Sequence, residues 1–259
     1  MRLLRDALRQ IICPFRRAAR WFVNPLSEAS PPNHVASRDS IIYKAASFAA
    51  VNKVKGDYLE FGVFRGGSYI SAYYTLRHCF DEVIKYFGFT MSEEDRVLTG
   101  SIFENMRFFA FDSFEGLPEV VDHDSSGFFK EGQFSSSLGA FKGNLDAAGF
   151  PQNRSVIING WYDKTLTRAV YDEHRLTQAA IVHIDCDLYE STRLVLDFIT
   201  PLLVDGTILI FDDWFHFNGH PQRGERKAFS EWSAKLTSWS FSDYQQEGVW
   251  RKSFIANEQ

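Results

Sequence analysis

Short apolar runs alternate with longer amphipathic stretches along most of the chain. The apolar runs predict five buried strands, at Asp57–Gly62, Arg107–Phe111, Ser155–Asn159, Ala179–Ile184 and Gly206–Phe211. The amphipathic stretches predict helices, at Ser37–Val54, Gly67–Phe80, Ser137–Gly149, Glu190–Pro201 and His220–Leu236. Strands that alternate with helices are typical of an α/β fold, with a mostly parallel sheet and helices on both faces. Phe241–Tyr244 and Val249–Ile255 would close this sheet in antiparallel orientation and bring it to seven strands.

Three parts of the pattern are less regular. The first predicted helix has two candidate caps, Ser37 and Asp39. Glu82–Thr99 has mixed character and predicts no single element. Val120–Ser137 is rich in Ser, Gly, Asp and Phe, which predicts a long mobile loop of the kind that often forms a lid.

A glycine turn follows the first predicted strand, within the stretch DYLEFGVFRGGS at Asp57–Ser68. Glycine lets a ligand approach the backbone, and free N–H groups at a helix start favour an electronegative ligand atom. Ligands bind at the carboxyl ends of strands in open α/β sheets, so Glu60 is expected to face the crevice. The spacing E-x-G-x-x-x-G-G differs from the dinucleotide fingerprint and resembles the first motif of class I S-adenosylmethionine-dependent methyltransferases. A purely structural glycine turn is the alternative.

Functional side chains also follow the second and third predicted strands. Asp112 follows the second, where a carboxylate in a Rossmann-like fold accepts hydrogen bonds from ribose hydroxyls. It lies further from the glycine turn than the usual ~20 residues, and an insertion at Glu82–Asn105 accounts for the distance. Trp161 follows the third strand, where it would wall an adenine pocket. A loop-capping Asp112 and a core Trp161 are the alternatives.

Two neighbouring strands each deliver a pair of acids to the crevice. Asp185 and Asp187 follow the fourth predicted strand, and Asp212 and Asp213 follow the fifth. Clustered carboxylates repel one another at neutral pH, so a bound cation is the usual reason for such a cluster. Ligation by oxygen alone suits Mg²⁺, Mn²⁺ or Ca²⁺ rather than zinc. Helix caps and turn formers are the alternative roles for these acids.

The composition argues against several other classes of protein. The chain has 259 residues, 45% of them hydrophobic and 24% charged, which predicts one globular domain with decorations. A net charge of −5 argues against a general nucleic-acid binder. Cys13, Cys79 and Cys186 form no CxxC pair, so neither a zinc site nor a disulfide framework is expected, and a reducing, cytoplasmic location fits. No apolar run is long enough to span a bilayer.

The N-terminal residues differ from the rest of the chain. Apolar residues recur at helical spacing through Met1–Phe22, with six arginines and one aspartate between them. These charges interrupt the apolar residues, so a signal peptide is not indicated. A basic amphipathic helix can pack on a partner or a second copy, lie on an anionic membrane, or remain a loose arm, and all three stay open. Asn24–Pro32 has the composition of a linker and separates residues 1–32 from a domain at 33–259.

Six long motifs occur in order between about Tyr43 and Phe254: YLEFGVFRGGS, FAFDSFEGLPE, NGWYDKTL, HIDCDLYEST, GTILIFDDW and GERKAF. Together they resemble the macrocin O-methyltransferase family. The resemblance implies a Rossmann-like class I methyltransferase fold. It also implies an enzyme that uses S-adenosylmethionine and Mg²⁺ to methylate a sugar hydroxyl in a macrolide or related product. The cofactor-binding residues expected from these motifs are Glu60, Gly62, Phe64, Arg65, Gly66, Ser68, Asp112, Ser113, Gly160, Trp161 and Asp185.

The resemblance further implies that Asp185, Asp212 and Asp213 bind the metal. A cation held by these acids would lower the pKa of a sugar hydroxyl and so make it a better nucleophile. Asp185 is the first candidate for the catalytic base that takes the proton, with Asp187 and His123 as the other candidates.

Two other functions stay open at this point. A metal-dependent glycosyltransferase also uses D-x-D at a strand end, although it does not need the glycine motif after the first strand. A non-catalytic binding protein of the same fold would be expected to lose the acids, which this chain keeps. Family members often have Gly where this chain has Cys186, which affects the local shape of that turn. We expect a homo-oligomer that acts on a small sugar or glycoside, with no nucleic-acid partner.

Overall fold

The computed structural model describes residues 34–121, 124–125 and 128–259. The predicted N-terminal helix, the linker and the candidate base His123 therefore lie outside the described residues. The strands are β1 (Asp57–Phe61), β2 (Phe108–Asp112), β3 (Ser155–Asn159), β4 (Ala179–Ile184), β5 (Ile208–Phe211), β6 (Trp239–Glu247) and β7 (Arg251–Glu258). The α-helices are α1 (Ile41–Asn52), α2 (Gly67–Phe87), α3 (Glu93–Asn105), α4 (Leu138–Ala147), α5 (Tyr162–Thr165), α6 (Arg168–His174), α7 (Tyr189–Ile199) and α8 (Gly224–Ser233).

The seven strands form one sheet in the order β3-β2-β1-β4-β5-β7-β6. β1 pairs in parallel with β2 on one side and with β4 on the other, so Glu60 lies opposite Ala110 and His183. β3 and β5 continue the parallel part, and β7 runs antiparallel to both β5 and β6. The strand order reverses at β1, and such a switch point opens a crevice at the carboxyl ends of the strands. The predicted mostly parallel sheet and its antiparallel closing pair are confirmed.

Apolar side chains cover both faces of the sheet. On one face, Tyr58 and Phe108 pack with residues of α1 and α2. On the other, the rings of Phe61 and Phe111 stack with their centroids 4.5 Å apart and pack with residues of α7 and α8. Strands that are buried on both faces are apolar along most of their length, which is why they appear as continuous runs in the sequence. Most polar groups that can do chemistry are therefore left at the strand ends.

Serine residues cap α1, α3 and α4, where Ser137 precedes α4. The cap of α1 is Ser40, not the predicted Ser37 or Asp39, because the Ser40 side chain accepts a hydrogen bond from the first turn. Ser92 caps α3, and three acidic residues follow it in the first turn, where they favour the positive end of the helix. The unassigned stretch 82–99 thus contains the end of α2, a turn and the start of α3, which explains its mixed pattern.

The sequence pattern missed the two short helices that follow β3. α5 has four residues and α6 has seven, which is too short for helical periodicity to become visible. They fill the connection from β3 to β4 and lie near the crevice. None of the helices in the described ranges is long and apolar enough to cross a membrane.

Candidate active site

A cavity of about 870 Å³ opens at the carboxyl ends of the parallel strands. Nine of the predicted site residues line it: Gly62, Phe64, Asp112, Ser113, Gly160, Trp161, Asp185, Asp212 and Asp213. The other four, Glu60, Arg65, Gly66 and Ser68, do not belong to its wall. The cavity therefore joins the predicted cofactor crevice to the acids that follow β4 and β5, as expected at a switch point.

The glycines of the turn after β1 are required by packing within the protein. Gly62 has a φ of +88°, and a Cβ added there would lie 1.8 Å from the carbonyl oxygen of Asp185. Gly66 precedes α2 with a φ of +85°, and its added Cβ would lie 2.8 Å from the ring of Phe141. Only glycine fits such positions without strain. Packing within the protein is therefore enough to explain both glycines, and the approach of a ligand to this turn stays a prediction.

Asp112 joins the end of β2 to the turn after β1. Its Oδ2 accepts hydrogen bonds from the N–H groups of Val63 at 2.8 Å and Phe64 at 2.9 Å. Its Oδ1 accepts one from the N–H of Phe114 at 2.7 Å. A carboxylate offers about four acceptor positions, so these three bonds leave one position free. The structural role and the proposed ligand role of Asp112 are therefore compatible.

Glu60 is fully buried beneath the cavity and does not face it. Its carboxylate accepts hydrogen bonds from the hydroxyl of Tyr58 and from Ser68 Oγ, the latter at 2.5 Å. Nδ1 of His183 lies 3.5 Å from the same carboxylate. A buried carboxylate needs such partners, because removal from water otherwise disfavours its charge. The prediction that Glu60 faces the crevice is wrong. The Ser68 hydroxyl donates its hydrogen bond to Glu60, and Ser68 does not line the cavity.

Arg65 does not line the cavity, whereas the neighbouring Phe64 does. Its guanidinium carbon lies 5.2 Å from the ring centroid of Phe64, and its carbonyl oxygen accepts a hydrogen bond from Asn144 at 2.8 Å. Phe64 is 40% exposed and belongs to the wall. The turn after β1 therefore presents an aromatic ring to the cavity, and its cation lies outside.

Asp212, at the end of β5, has two basic partners. Nε of Arg251 lies 2.5 Å from Asp212 Oδ1, and Nε2 of His183 lies 3.4 Å from the same oxygen. Burial opposes ionisation of Asp212, but His183 and Arg251 outweigh it and lower the pKa of this carboxyl. Burial also opposes a charge on His183, but its hydrogen bonds to Asp212 and Glu60 raise its pKa to about 10. The negative charge of Asp212 is thus balanced within the protein.

Four other acids lie at the same end of the sheet, three of them buried and Asp185 partly buried. They are Asp185, Asp187, Asp213 and Glu225. Burial is the main cause that raises the pKa of each carboxyl, and the neighbouring acids raise it further. The pKa of Asp187 reaches about 7. These groups can all be ionised at neutral pH only if a positive charge joins them.

Three atoms in this acidic cluster are buried without a hydrogen-bond partner within the described part of the chain. They are Asp213 Oδ2, His216 Nδ1 and Glu225 Oε1. Buried polar atoms are almost always paired, so these atoms are available to bind an ion or a water molecule.

Among the described residues, the side chains that could bind a metal form two sets. In each set the ligand atoms lie within 4.8 Å of one another, and the sets are His183 with Asp185 and Asp212, and Asp187 with Asp213 and His216. The three predicted metal ligands are therefore divided, because Asp213 belongs to a different set from Asp185 and Asp212.

Sequence analysis missed much of the aromatic wall of the cavity. Phe128 and Phe134 come from the loop after β2, His216 follows β5, and Trp250 lies in the β6–β7 hairpin. The ring of His216 contacts the rings of Trp250 and Phe128, with centroids 4.3 Å and 5.3 Å apart. No spacing along the chain brings these residues together, because they lie on segments far apart in sequence. The only available signal was the number of aromatic residues in the predicted lid.

Asp124 anchors the loop that was predicted to be a lid. This buried residue accepts hydrogen bonds from the N–H of Tyr189 at 2.8 Å and from the N–H of Gly224 at 3.2 Å. Those N–H groups begin α7 and α8, where a carboxylate is favoured by the helix dipole. The described part of the loop is thereby joined to the helices that follow the acidic strand ends.

The family model of the macrocin O-methyltransferases, TylF, matches residues 95–232. This range covers α3 to α8, so it includes the acids after β4 and β5 and excludes the glycine turn after β1. The match therefore includes Asp112 and Trp161 on the cofactor side as well as the acids after β4 and β5.

Two curated relatives are sugar-modifying methyltransferases by name. One is the 8-demethyl-8-(2,3-dimethoxy-alpha-L-rhamnosyl)-tetracenomycin-C 4'-O-methyltransferase of Streptomyces olivaceus, which is 29% identical over 62% of this chain and 54% of its own length. The other is the mycinamicin III 3''-O-methyltransferase of Micromonospora griseorubida, 25% identical over 62% of this chain and 56% of its own length. The chain thus spans about half the length of these relatives.

Solved structures share the fold. The O-methyltransferase NovP superposes with a TM-score of 0.63 at 20% identity, over 84% of this chain and 78% of its own. An O-methyltransferase from Bacillus cereus, solved in complex with S-adenosylhomocysteine (SAH), gives a TM-score of 0.51 at 13% identity, over 98% of this chain and 91% of its own. These likenesses confirm the Rossmann-like methyltransferase fold. Together with the match of the family model to more than half of the residues, they lead to one conclusion: the chain belongs to the macrocin O-methyltransferase family.

Proposed function

We propose that the chain is an S-adenosylmethionine-dependent O-methyltransferase that methylates a hydroxyl group of a sugar or glycosylated natural product, assisted by a divalent cation. One observation carries the proposal. A single cavity is lined by Gly62 and Asp112 on the β1–β2 side and by Asp185 and Asp213 on the β4–β5 side. A methyl donor and a cation-assisted acceptor can therefore meet in one space.

The acceptor class is supported by the relatives. Their names specify O-methylation of a rhamnosyl tetracenomycin and of mycinamicin III. A glycosylated product is therefore the acceptor class that we propose for this chain. The cavity volume of about 870 Å³ is within the usual range for small-molecule sites.

The methyl donor is proposed to lie on the β1–β2 side of the cavity. Asp112 has acceptor capacity left for ribose hydroxyls, and Trp161 offers an apolar ring at the wall. S-adenosylmethionine, when bound, supplies the methyl group that is transferred to the acceptor oxygen. The Bacillus cereus neighbour, which contains SAH, supports this choice of cofactor.

A divalent cation is proposed to lie among the acids on the β4–β5 side. The residues fit such an ion, because Asp213 Oδ2 and His216 Nδ1 are buried without a partner and carboxylate oxygens suit Mg²⁺ and Mn²⁺. All three predicted ligands lie in sets that could hold a metal. Asp185 and Asp212 belong to one set, and Asp213 belongs to the other. A cation there would supply the positive charge that lowers the pKa of a neighbouring sugar hydroxyl.

Asp185 is the proposed proton acceptor. Its side chain lines the cavity, and its backbone carbonyl lies against Gly62, which places it between the two sides. Burial, reinforced by Asp212, raises the pKa of Asp185, which makes its carboxylate a stronger base when it is ionised. Asp187 is the second candidate, since it also lines the cavity and its pKa is raised to about 7.

Calorimetry and a transfer assay test the proposal against the two other functions. We expect S-adenosylmethionine to bind and UDP-sugars not to bind. Labelled methyl groups should then pass from the cofactor to deoxysugar glycosides. Binding of UDP-sugars without S-adenosylmethionine would favour a glycosyltransferase. Binding of S-adenosylmethionine without methyl transfer to any of the deoxysugar glycosides would favour a non-catalytic protein.

The organisation of the whole chain follows as a second part of the proposal. Residues 33–259 are the proposed methyltransferase domain, and residues 1–32 are proposed to serve assembly or contact with a membrane surface, in a cytoplasmic protein. The arginine-rich amphipathic pattern of Met1–Phe22 supports this division. Deletion of residues 1–32 should change the mass seen by light scattering or reduce binding to anionic vesicles, while cofactor affinity is retained. Loss of cofactor binding in a folded deletion variant would contradict it.

A further inference from the structure

We propose that Asp124 is a positioning residue for methyl transfer. From the loop between β2 and α4, its carboxylate joins the start of α7 to the start of α8. It thereby fixes the backbone of Asp187 and the aromatic ring that the loop presents to the cavity. This role rests on the proposed function for the reaction itself. One of its tests needs neither cofactor nor acceptor, so the two proposals can fail separately.

Asp124 supplies the cap that each of two helices lacks. Leu188 precedes α7 and Arg223 precedes α8, and neither side chain makes a capping hydrogen bond within the described ranges. Instead, Asp124 Oδ2 accepts a hydrogen bond from the N–H of Tyr189 at 2.8 Å, and Oδ1 accepts one from the N–H of Gly224 at 3.2 Å. The first N–H groups of a helix need acceptors, and the positive end of the helix dipole favours a carboxylate. One side chain, 1% exposed, therefore holds the starts of both helices together.

The two helix starts meet at the backbone of Asp187. Tyr189 follows Asp187 by two residues, and a Cβ added to Gly224 would lie 3.6 Å from the carbonyl oxygen of Asp187. Asp187 has a φ of +61°, in the left-handed region, and it lines the cavity. A residue other than glycine is uncommon in that region and stays there where its surroundings hold it. The bonds to Asp124 therefore fix the turn that brings the Asp187 side chain to the cavity.

An apolar contact fixes the loop to the same place. Phe129 is 4% exposed and packs in a small cluster with Leu117 and Leu188, the residue before α7. Phe128, next to it, lines the cavity with its ring centroid 5.3 Å from that of His216. This apolar contact and the carboxylate that caps α7 together determine where the ring of Phe128 lies.

Backbone hydrogen bonds close the loop at its neck. The N–H of Leu117 donates to the carbonyl of Gln133, and the N–H of Gly132 donates to the carbonyl of Leu117, both at 2.9 Å. The described part of this segment is therefore anchored at its neck and, through Asp124, at the two helix starts. Loss of the bonds to Asp124 should release the second anchor and leave the neck closed.

An amide at position 124 cannot serve both helices. The carboxylate offers an acceptor oxygen to each N–H group, whereas the amide of Asp124→Asn offers one oxygen and one NH₂ group. One N–H group then loses its acceptor, and that helix start moves relative to the other. A displacement of about 1 Å at reacting groups costs on the order of 100-fold in rate. We therefore expect Asp124→Asn to lower kcat about 10- to 100-fold.

Steady-state kinetics of methyl transfer to a glycoside test this expectation. The rate is expressed per cofactor-binding site, counted by calorimetry, so that unfolded chains do not contribute. In Asp124→Asn, kcat should fall and the KM for the acceptor should rise, because the Asp187 side chain and the ring of Phe128 both move. The dissociation constant of S-adenosylmethionine should stay the same, since the β1–β2 side of the cavity is untouched.

Ser92→Ala is the matched control for the loss of a helix cap. Ser92 accepts a hydrogen bond from the N–H of Asp95 at the start of α3, at 3.1 Å, and it does not line the cavity. Its substitution should lower stability in urea, as the loss of a cap does, and leave kcat and KM unchanged. A merely structural role of Asp124 would give this same kinetic result in Asp124→Asn.

Limited proteolysis reports on the loop without cofactor or acceptor. Lys130 is exposed and is the only Lys or Arg in the sequence between residues 113 and 137, so trypsin can cut the loop after this residue alone. Cleavage there should be at least about 10-fold faster in Asp124→Asn than in the wild-type chain, because hydrogen bonds to a charged group are lost and local opening becomes more frequent. Cleavage in Ser92→Ala should match the wild-type rate.

Three results would overturn the inference. They are wild-type kcat and KM in Asp124→Asn, an equal loss of activity per site in Ser92→Ala, and cleavage after Lys130 that is no faster in Asp124→Asn than in the wild-type chain. Asp124→Ser, whose hydroxyl can accept from one N–H group, replaces Asp124→Asn if that variant does not fold, and the same results are expected of it. If the wild-type chain methylates no glycoside, the proposed function fails, and proteolysis still decides whether Asp124 holds the loop.

Discussion

The two sides of the crevice differ in how their buried polar groups are satisfied. On the β1–β2 side, Asp112 accepts hydrogen bonds from three backbone N–H groups. Glu60 accepts hydrogen bonds from the hydroxyls of Tyr58 and Ser68. On the β4–β5 side, Asp213 and Glu225 each keep a buried oxygen without a partner among the described residues. The polar groups of the first side are paired within the protein, whereas the acids of the second side can be balanced by a bound cation or by protonation.

This difference separates the residues that build the site from those that we propose to take part in the reaction. A glycine turn and its neighbouring acids stand out in the sequence, yet most of their groups are used for hydrogen bonding within the protein. After β4 and β5, the protein environment raises the pKa values of Asp185 and Asp213, and Asp213 keeps a buried oxygen without a partner among the described residues. Perturbed acids in a cavity are the better sign of a reaction centre.

The largest effect is expected from Asp213→Asn. Removal of this carboxylate should lower kcat/KM for methyl transfer about 1000-fold, because a bound cation contributes several kcal/mol of charge stabilisation. Affinity for S-adenosylmethionine, measured by calorimetry, should stay the same. Asp163→Asn is the matched control, since Asp163 also lines the cavity but is 55% exposed and is paired with Lys164 at 2.8 Å. An equal loss of kcat/KM in Asp213→Asn and Asp163→Asn would contradict the proposed difference between the two sides of the crevice.

The second effect is on stability, and its sign should differ between the two sides. Asp112→Ala should lower the free energy of unfolding by about 2–4 kcal/mol, because three N–H groups lose a charged acceptor. Asp187→Asn should instead stabilise the protein in the presence of chelator, because it removes a repelling buried charge. Urea unfolding in EDTA measures both variants. Destabilisation by Asp187→Asn as large as that by Asp112→Ala would contradict the comparison.

A smaller effect is expected at the wall of the cofactor side. Trp161→Ala should raise the dissociation constant of S-adenosylhomocysteine about tenfold, because the cofactor loses an aromatic contact. Trp161→Phe should keep most of the affinity. Calorimetry measures both variants, and Mn²⁺ affinity serves as the internal control because it should not change. If Trp161→Ala binds S-adenosylhomocysteine as tightly as the wild-type chain, Trp161 does not contact the cofactor and has only a structural role.

The smallest effect is a dependence of stability on pH. The carboxyl of Asp187 has a pKa of about 7 in the folded chain and about 3.9 when unfolded, so the folded state binds more protons between these values. The cation-free protein should therefore lose stability, seen as a fall in Tm, as pH rises from about 4.5 to about 7.5. The neutral His216 works in the opposite direction, and only below its ordinary pKa.

Saturation with Mn²⁺ should remove this dependence, since the ion takes the place of the protons. Differential scanning fluorimetry at several pH values, with chelator and with Mn²⁺, makes the comparison. A Tm that rises with pH in the chelated protein over this range would show that the acids are not held protonated.

Much of the fold could be predicted from sequence because the buried parallel strands are continuous apolar runs. β3 and β4 have the predicted bounds, and the acids after β4 and β5 were found because strand ends meet at one edge of a sheet. The antiparallel closing pair was also found, although β6 and β7 are longer than predicted.

What sequence could not provide depends on contacts between distant segments. The burial of Glu60 follows from Tyr58 and His183, which local spacing does not reveal. Gly62 is explained by the carbonyl of Asp185, on another strand. His216 carries no motif, and its orientation toward Asp213 is fixed by a hairpin near the end of the chain. The division of the predicted metal acids into two sets was therefore not visible in the sequence.

The most direct test of the account measures methyl transfer and metal binding on the same preparation. The initial rate of transfer from labelled S-adenosylmethionine to a glycoside acceptor is recorded while Mn²⁺ is added back to chelated protein, and calorimetry gives the occupancy of the metal site. The account predicts no transfer in EDTA and a rate that rises in proportion to occupancy, with cofactor binding unaffected. Full activity in EDTA, in a preparation shown to be free of metal, would contradict it.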